Sequence, residues 1–425
     1  MMQCTTSSRL LSFFGIIHTT SSMNIESKNK SVSYFAKTNF RDNGQLFGIH
    51  QQDRLLHTYI LGKTGVGKTN LLTTLILQDI IHGRAVCVFD VHGDLISTII
   101  QNIPHNRRND LIYLDIPNTS LTLRYNPLKR VSYEKRSLVA SGILDTFKKL
   151  WRGAWGVKLE HILRYILLTL LDQEKSDFSD IPRIIHDHSF RQRCIENIIN
   201  KDIKRFWEFE FQKYTKSDLI PILNKVGAFV VHPAIKRFLI TNENELSLRY
   251  ALDNDKIVLV NLNKGSLGID TSHIVGSLLL NSIMNAAFSR IDTTLEKRKP
   301  VAIFLDEFQN YTTESITSML SELRKFRVSL VMAHQYLHQL DTDIRNAVLG
   351  NVGTIISFRT GHADAKYLEQ LFTPEFHASD FTNLENFDIY LKLIINGKPS
   401  KAFSATCIHY KSVLKLNFTP SPRLF

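Results

Sequence analysis

Gly62-Lys63-Thr64-Gly65-Val66-Gly67-Lys68-Thr69 decides the fold of this chain. The spacing GxxxxGK(S/T) follows a short apolar run at residues 57–61 and precedes a helical pattern at 68–82, so it sits where a strand hands over to a helix. Glycines there let the backbone bend until successive N–H groups point inward at phosphate oxygens, and the helix adds the positive end of its dipole. Lys68 is expected to reach the β and γ phosphates, and Thr69 to offer its hydroxyl to Mg²⁺.

Working outward, residues 85–90 (AVCVFD) are apolar until their final acid, as in a parallel strand covered on both faces, and 111–115 repeat the pattern. Strand character returns at 256–262, then at 301–305, 328–333 and 354–359, with helices between. This is α/β punctuation, and it predicts at least five or six strands of one mostly parallel sheet. Residues 130–250 differ. Leu138, Ile143, Leu144, Phe147 and Leu150, then Ile162, Leu163, Ile166, Leu167 and Leu170, mark helical apolar faces without a convincing strand, so the block reads as an all-α insertion. The organisation expected is a disordered leader at 1–40, NTPase-fold segments at 41–129 and 251–375 flanking the insertion, and a C-terminal segment at 376–425 packed on them.

The second half of a nucleotide site follows the strand at 301–305. Asp306 and Glu307 end that apolar run, where Asp306 can bind a water of the Mg²⁺ shell and Glu307 can orient, or take a proton from, the attacking water. An acid directly after the metal-associated Asp marks hydrolytic motors more than signalling GTPases, and no guanine-reading NKxD is present, so ATP is the expected nucleotide. Arg324, 18 residues after Asp306 near the end of a helix over 312–326, is the first candidate for an arginine finger projecting into a neighbouring subunit. Gln335 ends the next strand, where an amide can sense phosphate or position water. His334 with His338, and His186 with His188, lack a third ligand at a metal-binding spacing and are read as ordinary core or surface histidines.

Composition narrows the partners. The chain has 425 residues and 43% hydrophobic content, which suits a packed core, and a net charge of +12, which favours an acidic partner such as nucleic acid or an anionic membrane surface. Residues 130–250 hold 21 basic and 15 acidic residues, so half of that excess lies there. Trp151, Trp155 and Trp207 fall in the same block among Lys148, Lys149, Arg152 and Lys158, where they can stack bases, although packing in a core is the commoner use of Trp. Cys4, Cys87, Cys194 and Cys407 form no CxxC pair, which argues for a reducing compartment. The apolar residues 10–17 are too few to cross a bilayer, and no other segment reads as a charge-free span.

Taken in order, FGIHQQDRLLHTYILGKTGVGKT (47–69), VFDVHGDL (88–95), RYNPL (124–128), IVLVNLNKGSLG (257–268), FLDEFQNYTTESITSMLSELRKFRVSLVMAHQYLHQL (304–340) and GNVGTIISFRTGHADA (350–365) resemble the HerA/FtsK superfamily of hexameric ATPases, particularly the TraD/TraG-like coupling ATPases of conjugative type IV secretion. The resemblance implies a RecA-like P-loop NTPase sheet with an inserted all-α domain, a homo-hexameric ring, and ATP- and Mg²⁺-dependent movement of DNA through its channel. It supports Lys68 and Thr69 in the phosphate loop, Asp306 and Glu307 as the acidic pair, Gln335 as the sensor and Arg324, in ELRKF, as the finger, with Arg345 and Arg359 as weaker candidates. Relaxase or secretion components are the implied partners. Such coupling proteins usually carry N-terminal transmembrane helices, and none is read here, so the expectation is a cytoplasmic protein, or one peripheral at the inner face of the membrane, without integral insertion. A HerA-type DNA-end-processing translocase shares the same core chemistry, and an ATP-gated adaptor that does not move DNA is the competing reading of another class.

Overall fold

The computed structural model describes residues 30–40, 44–240 and 246–418. Thirteen strands form among them: β1 (Val32–Thr38), β2 (Leu46–His50), β3 (Thr58–Leu61), β4 (Ala85–Asp90), β5 (Leu111–Asp115), β6 (Ile257–Asn261), β7 (Val301–Leu305), β8 (Val328–His334), β9 (Thr354–Ser357), β10 (Asp388–Lys392), β11 (Ile394–Ile395), β12 (Lys398–Pro399) and β13 (Phe403–Cys407). Eleven make one sheet in the order β2-β1-β13-β10-β9-β3-β8-β7-β4-β6-β5, and β11 pairs only with β12. From β9 to β5 every pairing is parallel. β10, β13, β1 and β2 extend that sheet with antiparallel pairings. The fold is α/β, a RecA-like P-loop NTPase sheet with helices on both faces.

The parallel strands are almost wholly apolar because both faces are covered. β4 and β7 are buried along their whole length. On one face lies the helix Lys68–Ile81, whose Leu71, Leu72, Leu75, Ile76, Leu77 and Ile80 are all buried, each contributing about 1.5–3 kcal/mol. Its far end is pinned by Asp79, which accepts from both Arg54 guanidinium nitrogens (2.7 and 2.8 Å) and from Arg84 (2.6 Å). Burial alone would raise the Asp79 carboxyl; the two guanidinium groups win and hold it below the usual carboxylate range. The phosphate loop is thereby the free end of a rod fixed at its base.

On the other face, the helix Ile269–Phe288 packs against Tyr133–Leu150, and the two lock together where the Asn281 amide donates to the Gly142 carbonyl (3.1 Å). The described residues between β5 and β6 form no strand. They make the helices Tyr133–Leu150, Val157–Asp172, Asp180–His186, His188–Glu196, Lys201–Arg205, Lys216–Val230, Pro233–Leu239 and Leu248–Asp253, which share one continuous apolar core with that face of the sheet.

Two expectations need adjustment. Residues 32–38, assigned above to a disordered leader, form β1, which buries Val32, Phe35 and Ala36 and pairs with β13 (Ala36 opposite Cys407). A bulge between Tyr34 and Ala36 breaks the local alternation, and the stabilising partner lies at the other end of the chain. The rest of that leader, residues 1–29, lies outside the described residues. Second, among the described residues Ile269–Asp292 holds an 18-residue window long and apolar enough for a membrane span, with a mean hydropathy of 1.3, but 67% of that window is buried inside the protein, as in a core helix. Trp207 takes the commoner of the two roles weighed above, a core residue buried with its indole N–H donated to Thr169 (2.8 Å). Cys87, Cys194 and Cys407 are buried free thiols, and burial raises all three; Cys4 lies outside the described residues.

Candidate nucleotide site

β3 and β7 flank β8, so residues 62–69, Asp306 with Glu307, and Gln335 emerge side by side from the same edge of the sheet. Leu61 ends β3 and Gly62 follows, its N–H donated to the His334 carbonyl at the end of β8 (3.3 Å). Gly65 and Gly67 adopt φ of 80° and 119°, conformations that side chains disfavour. Lys63, Thr64 and Gly65 form the exposed crest, Val66 anchors it in the core, and Thr69 is exposed on the first turn of the helix. The Lys68 ammonium is buried beneath the loop and donates to the Gly62 (2.6 Å) and Lys63 (2.8 Å) carbonyls. Burial lowers its pKa, opposed by the nearby Glu307 and Asp306.

Register brings the acids together. Phe89 on β4 is paired with Leu305 on β7, so the next residues, Asp90 at the end of β4 and Asp306 just past β7, are neighbours. Asp90 is fully buried and accepts the His92 (2.8 Å) and Ile96 (3.1 Å) backbone N–H groups. Burial, then Asp90 and Glu307, push the Asp306 carboxyl up to about 7, with Lys68 offsetting only part. Glu307 has φ 52°, left-handed backbone that turns the chain directly after the strand. Both oxygens of its carboxylate are held: Oε1 accepts from the Gln335 amide (2.8 Å) and Oε2 from the Gln309 amide (2.7 Å). Its position is thus fixed by two neutral side-chain amides.

His334, directly before Gln335, is buried with its imidazole hydrogen-bonded to the Tyr59 hydroxyl of β3, and burial lowers its pKa to about 4. Neutral at physiological pH, it ties β8 to the phosphate-loop strand. Among the described residues no group of three or more His, Cys, Asp or Glu could hold a metal by itself. The available donors do fit Mg²⁺ arriving with a nucleotide: the Thr69 hydroxyl and the Asp306 carboxylate are hard oxygens, few in number, and three acids crowded round one ammonium favour a further cation.

The arginines separate clearly. Arg324 is exposed in the 3-10 turn Arg324–Phe326 that precedes β8. The seven residues of β8 put about 20 Å between it and Gln335, so it lies at the opposite rim from its own phosphate loop. Arg345 packs over the Tyr367 ring at 5.3 Å. Arg359 donates to the Leu384 carbonyl and the Asn386 side chain (both 3.0 Å), tying the C-terminal segment to the loop, where its own carbonyl accepts the Lys63 N–H (2.9 Å).

Two contributors were not anticipated. Gln309 holds Glu307, and its place in DEFQN, two residues past the acid, was the available signal. Phe387 donates its N–H to Val66 (2.8 Å), and a Cβ on Gly67 would come within 2.9 Å of its ring. Nothing in the local sequence marks Phe387, 320 positions from the loop it covers.

Fold and site together define a P-loop nucleoside triphosphatase. The family described as the type IV secretion-system coupling protein DNA-binding domain matches residues 46–373, and the chain belongs to that family. Comparison with the curated proteins finds no match. Among solved structures it is similar to the bacterial conjugative coupling protein TrwBdeltaN70 in its unbound form (15% identity, 84% of this chain and 86% of that one, TM-score 0.59). It is also similar to the plasmid coupling protein TrwB in complex with ADP and Mg²⁺ (16% identity, 85% and 88%, TM-score 0.59). VirB4 of Thermoanaerobacter pseudethanolicus aligns over 89% of this chain and 96% of its own (15% identity, TM-score 0.59). At these identities the likenesses speak for the fold.

Proposed function

We propose that this protein is an ATP-hydrolysing motor that moves DNA, acting as the coupling protein of a conjugative type IV secretion system. The observation that carries the reading is the meeting of the phosphate loop, Asp306, a doubly held Glu307 and Gln335 at one sheet edge, in a chain that belongs to the coupling-protein family.

Gly62, Lys63, Thr64, Gly65, Val66, Gly67, Lys68 and Thr69 wrap the phosphates of ATP, the N–H groups and the Lys68 ammonium facing the anionic oxygens. Thr69, and Asp306 through a water, would hold Mg²⁺, which would neutralise charge on the phosphates. Glu307 takes a proton from the attacking water, kept in place by Gln309 and Gln335. Arg324 serves the site of a neighbouring subunit, because its own lies a strand's length away. That division of labour requires a ring, taken here as a homo-hexamer, in which cycles of hydrolysis move basic surfaces along the DNA backbone. Such a ring works at the inner face of the membrane, with relaxase and secretion components as partners.

Steady-state ATP hydrolysis measured with and without DNA over a salt series tests this, with Glu307→Gln as the blank. The expected result is stimulation by DNA that weakens as salt rises and vanishes in the variant. Hydrolysis indifferent to DNA sinks the motor reading, and normal turnover by Glu307→Gln sinks the assignment of the base.

A further inference from the structure

The helix Tyr133–Leu150 runs into an exposed turn, residues 151–156, on the same side of the sheet as the catalytic residues, since the turn's Arg152 pairs with Asp341 just beyond β8. A column of rings leads outward to it. Phe178 lies 5.9 Å from Phe147, Phe147 4.9 Å from Trp151, and Trp151 6.4 Å from Trp155 with planes only 16° apart. No described ring continues the column past Trp155. The two indoles are half-buried, whereas Arg152, Gly153, Ala154, Gly156 and Val157 around them are exposed. Trp155 is held in orientation by its indole N–H, donated to the Glu160 carboxylate (2.8 Å).

Cations surround the column. Lys225 stands 5.9 Å from the Trp151 ring centre, and Lys148, Arg152 and Lys158 form pairs with Glu314, Asp341 and Asp218. The lysine and arginine side chains of those three pairs are 41–73% exposed, and solvent-exposed pairs are held only weakly, so a phosphodiester can take the place of their carboxylates. A flat apolar ring at the outer end of a packed column of rings, rimmed by replaceable cations, matches the chemistry of unpaired bases on a charged backbone. Duplex bases are hidden in their own stack and cannot use it.

We propose that the turn 151–156 is a single-stranded DNA contact, with an unpaired base stacked on Trp155 and flanking phosphates on Arg152 and Lys158. This rests on the DNA-motor reading above. The contact also has a short route to the chemistry. Lys149, half-buried just before the turn, donates to the Gln309 carbonyl and the Thr312 hydroxyl (both 2.7 Å), and Gln309 holds Glu307.

The test uses the full chain, fluorescein-labelled oligo(dT) and a blunt duplex of equal length, followed by anisotropy, with Trp155→Ala and Trp155→Phe. The alanine variant is expected to weaken oligo(dT) binding roughly 5- to 100-fold, the value of one base–aromatic stack, with phenylalanine recovering most of it and duplex affinity changing less than about twofold. In the unmutated protein, saturating oligo(dT) is expected to quench tryptophan fluorescence, a readout independent of whether the variant folds. Undiminished oligo(dT) binding by a folded Trp155→Ala, or binding without quenching, overturns the contact and leaves the motor reading standing. Failure of the unmutated protein to bind either DNA overturns both.

Discussion

Replacing Asp306 with Asn removes a negative charge that the folded state tolerates poorly. Asp306 is buried beside Asp90 and Glu307, and its carboxyl rises from 3.8 to about 7. Between those values the folded protein binds more protons than the unfolded chain, so stability falls as pH rises from about 4 to about 7 and then levels off. A shift of about three units at 1.36 kcal/mol each is about 4 kcal/mol in the ionised plateau. For 425 residues, unfolding entropy near the midpoint is roughly 0.9 kcal/mol/K, which turns that energy into about 5 °C at pH 8 and, with partial titration, about 2 °C at pH 5. Asn keeps the shape and can still accept the Glu307 N–H that Asp306 Oδ1 accepts at 3.2 Å. Thermal unfolding without nucleotide or Mg²⁺ reads the effect directly. Asp306→Asn is expected to melt above the unmutated protein, by a margin about 3 °C wider at pH 8 than at pH 5. A margin that stays constant with pH, or narrows as pH rises, refutes the reasoning.

Three further outcomes are expected. Arg324→Ala lowers kcat by roughly 10³-fold or more, and mixing it with inactive Lys68→Ala restores part of the activity, since mixed interfaces then join an intact site to an intact finger; no restoration on mixing counts against a finger acting between subunits. Gln335→Ala frees one oxygen of Glu307 and lowers kcat roughly 10- to 100-fold, the worth of one charge-assisted hydrogen bond, with KM for ATP within about twofold; a rise in KM at constant kcat would place Gln335 in binding instead. Gly67→Ala abolishes ATP binding in a fluorescent-nucleotide titration, and adding Phe387→Ala does not rescue it, because φ of 119° remains intolerable after the steric contact is gone; rescue by the second change would make the clash the whole cause.

The parallel strands were legible because each is a short apolar run with polar punctuation, a local signal. β4 and β5 match the sequence reading residue for residue, and the acid that ends β4 and the acid pair that follows β7 stand out at the close of apolar runs. What escaped was non-local. β10 and β13 alternate buried and half-exposed positions in segments too short to stand out, and β1 gains its place only by pairing with β13 across some 370 residues. The same applies within the site. Lys68, Asp306 and Glu307 carry spacings that their chemistry imposes, whereas Phe387 reaches the loop only through the antiparallel extension. The tryptophans divide for a similar reason: helical periodicity sends Trp207 inward, and a turn containing Gly153 and Gly156 leaves Trp151 and Trp155 at the surface.

The central claim is that hydrolysis at this site moves DNA, and displacement of streptavidin from the end of a biotinylated DNA strand measures that movement directly. The account predicts displacement that needs ATP and Mg²⁺, fails with a non-hydrolysable analogue, and fails with Glu307→Gln although that variant still binds ATP and DNA. Vigorous DNA-stimulated hydrolysis with no displacement at either strand end, or displacement by Glu307→Gln, would contradict it.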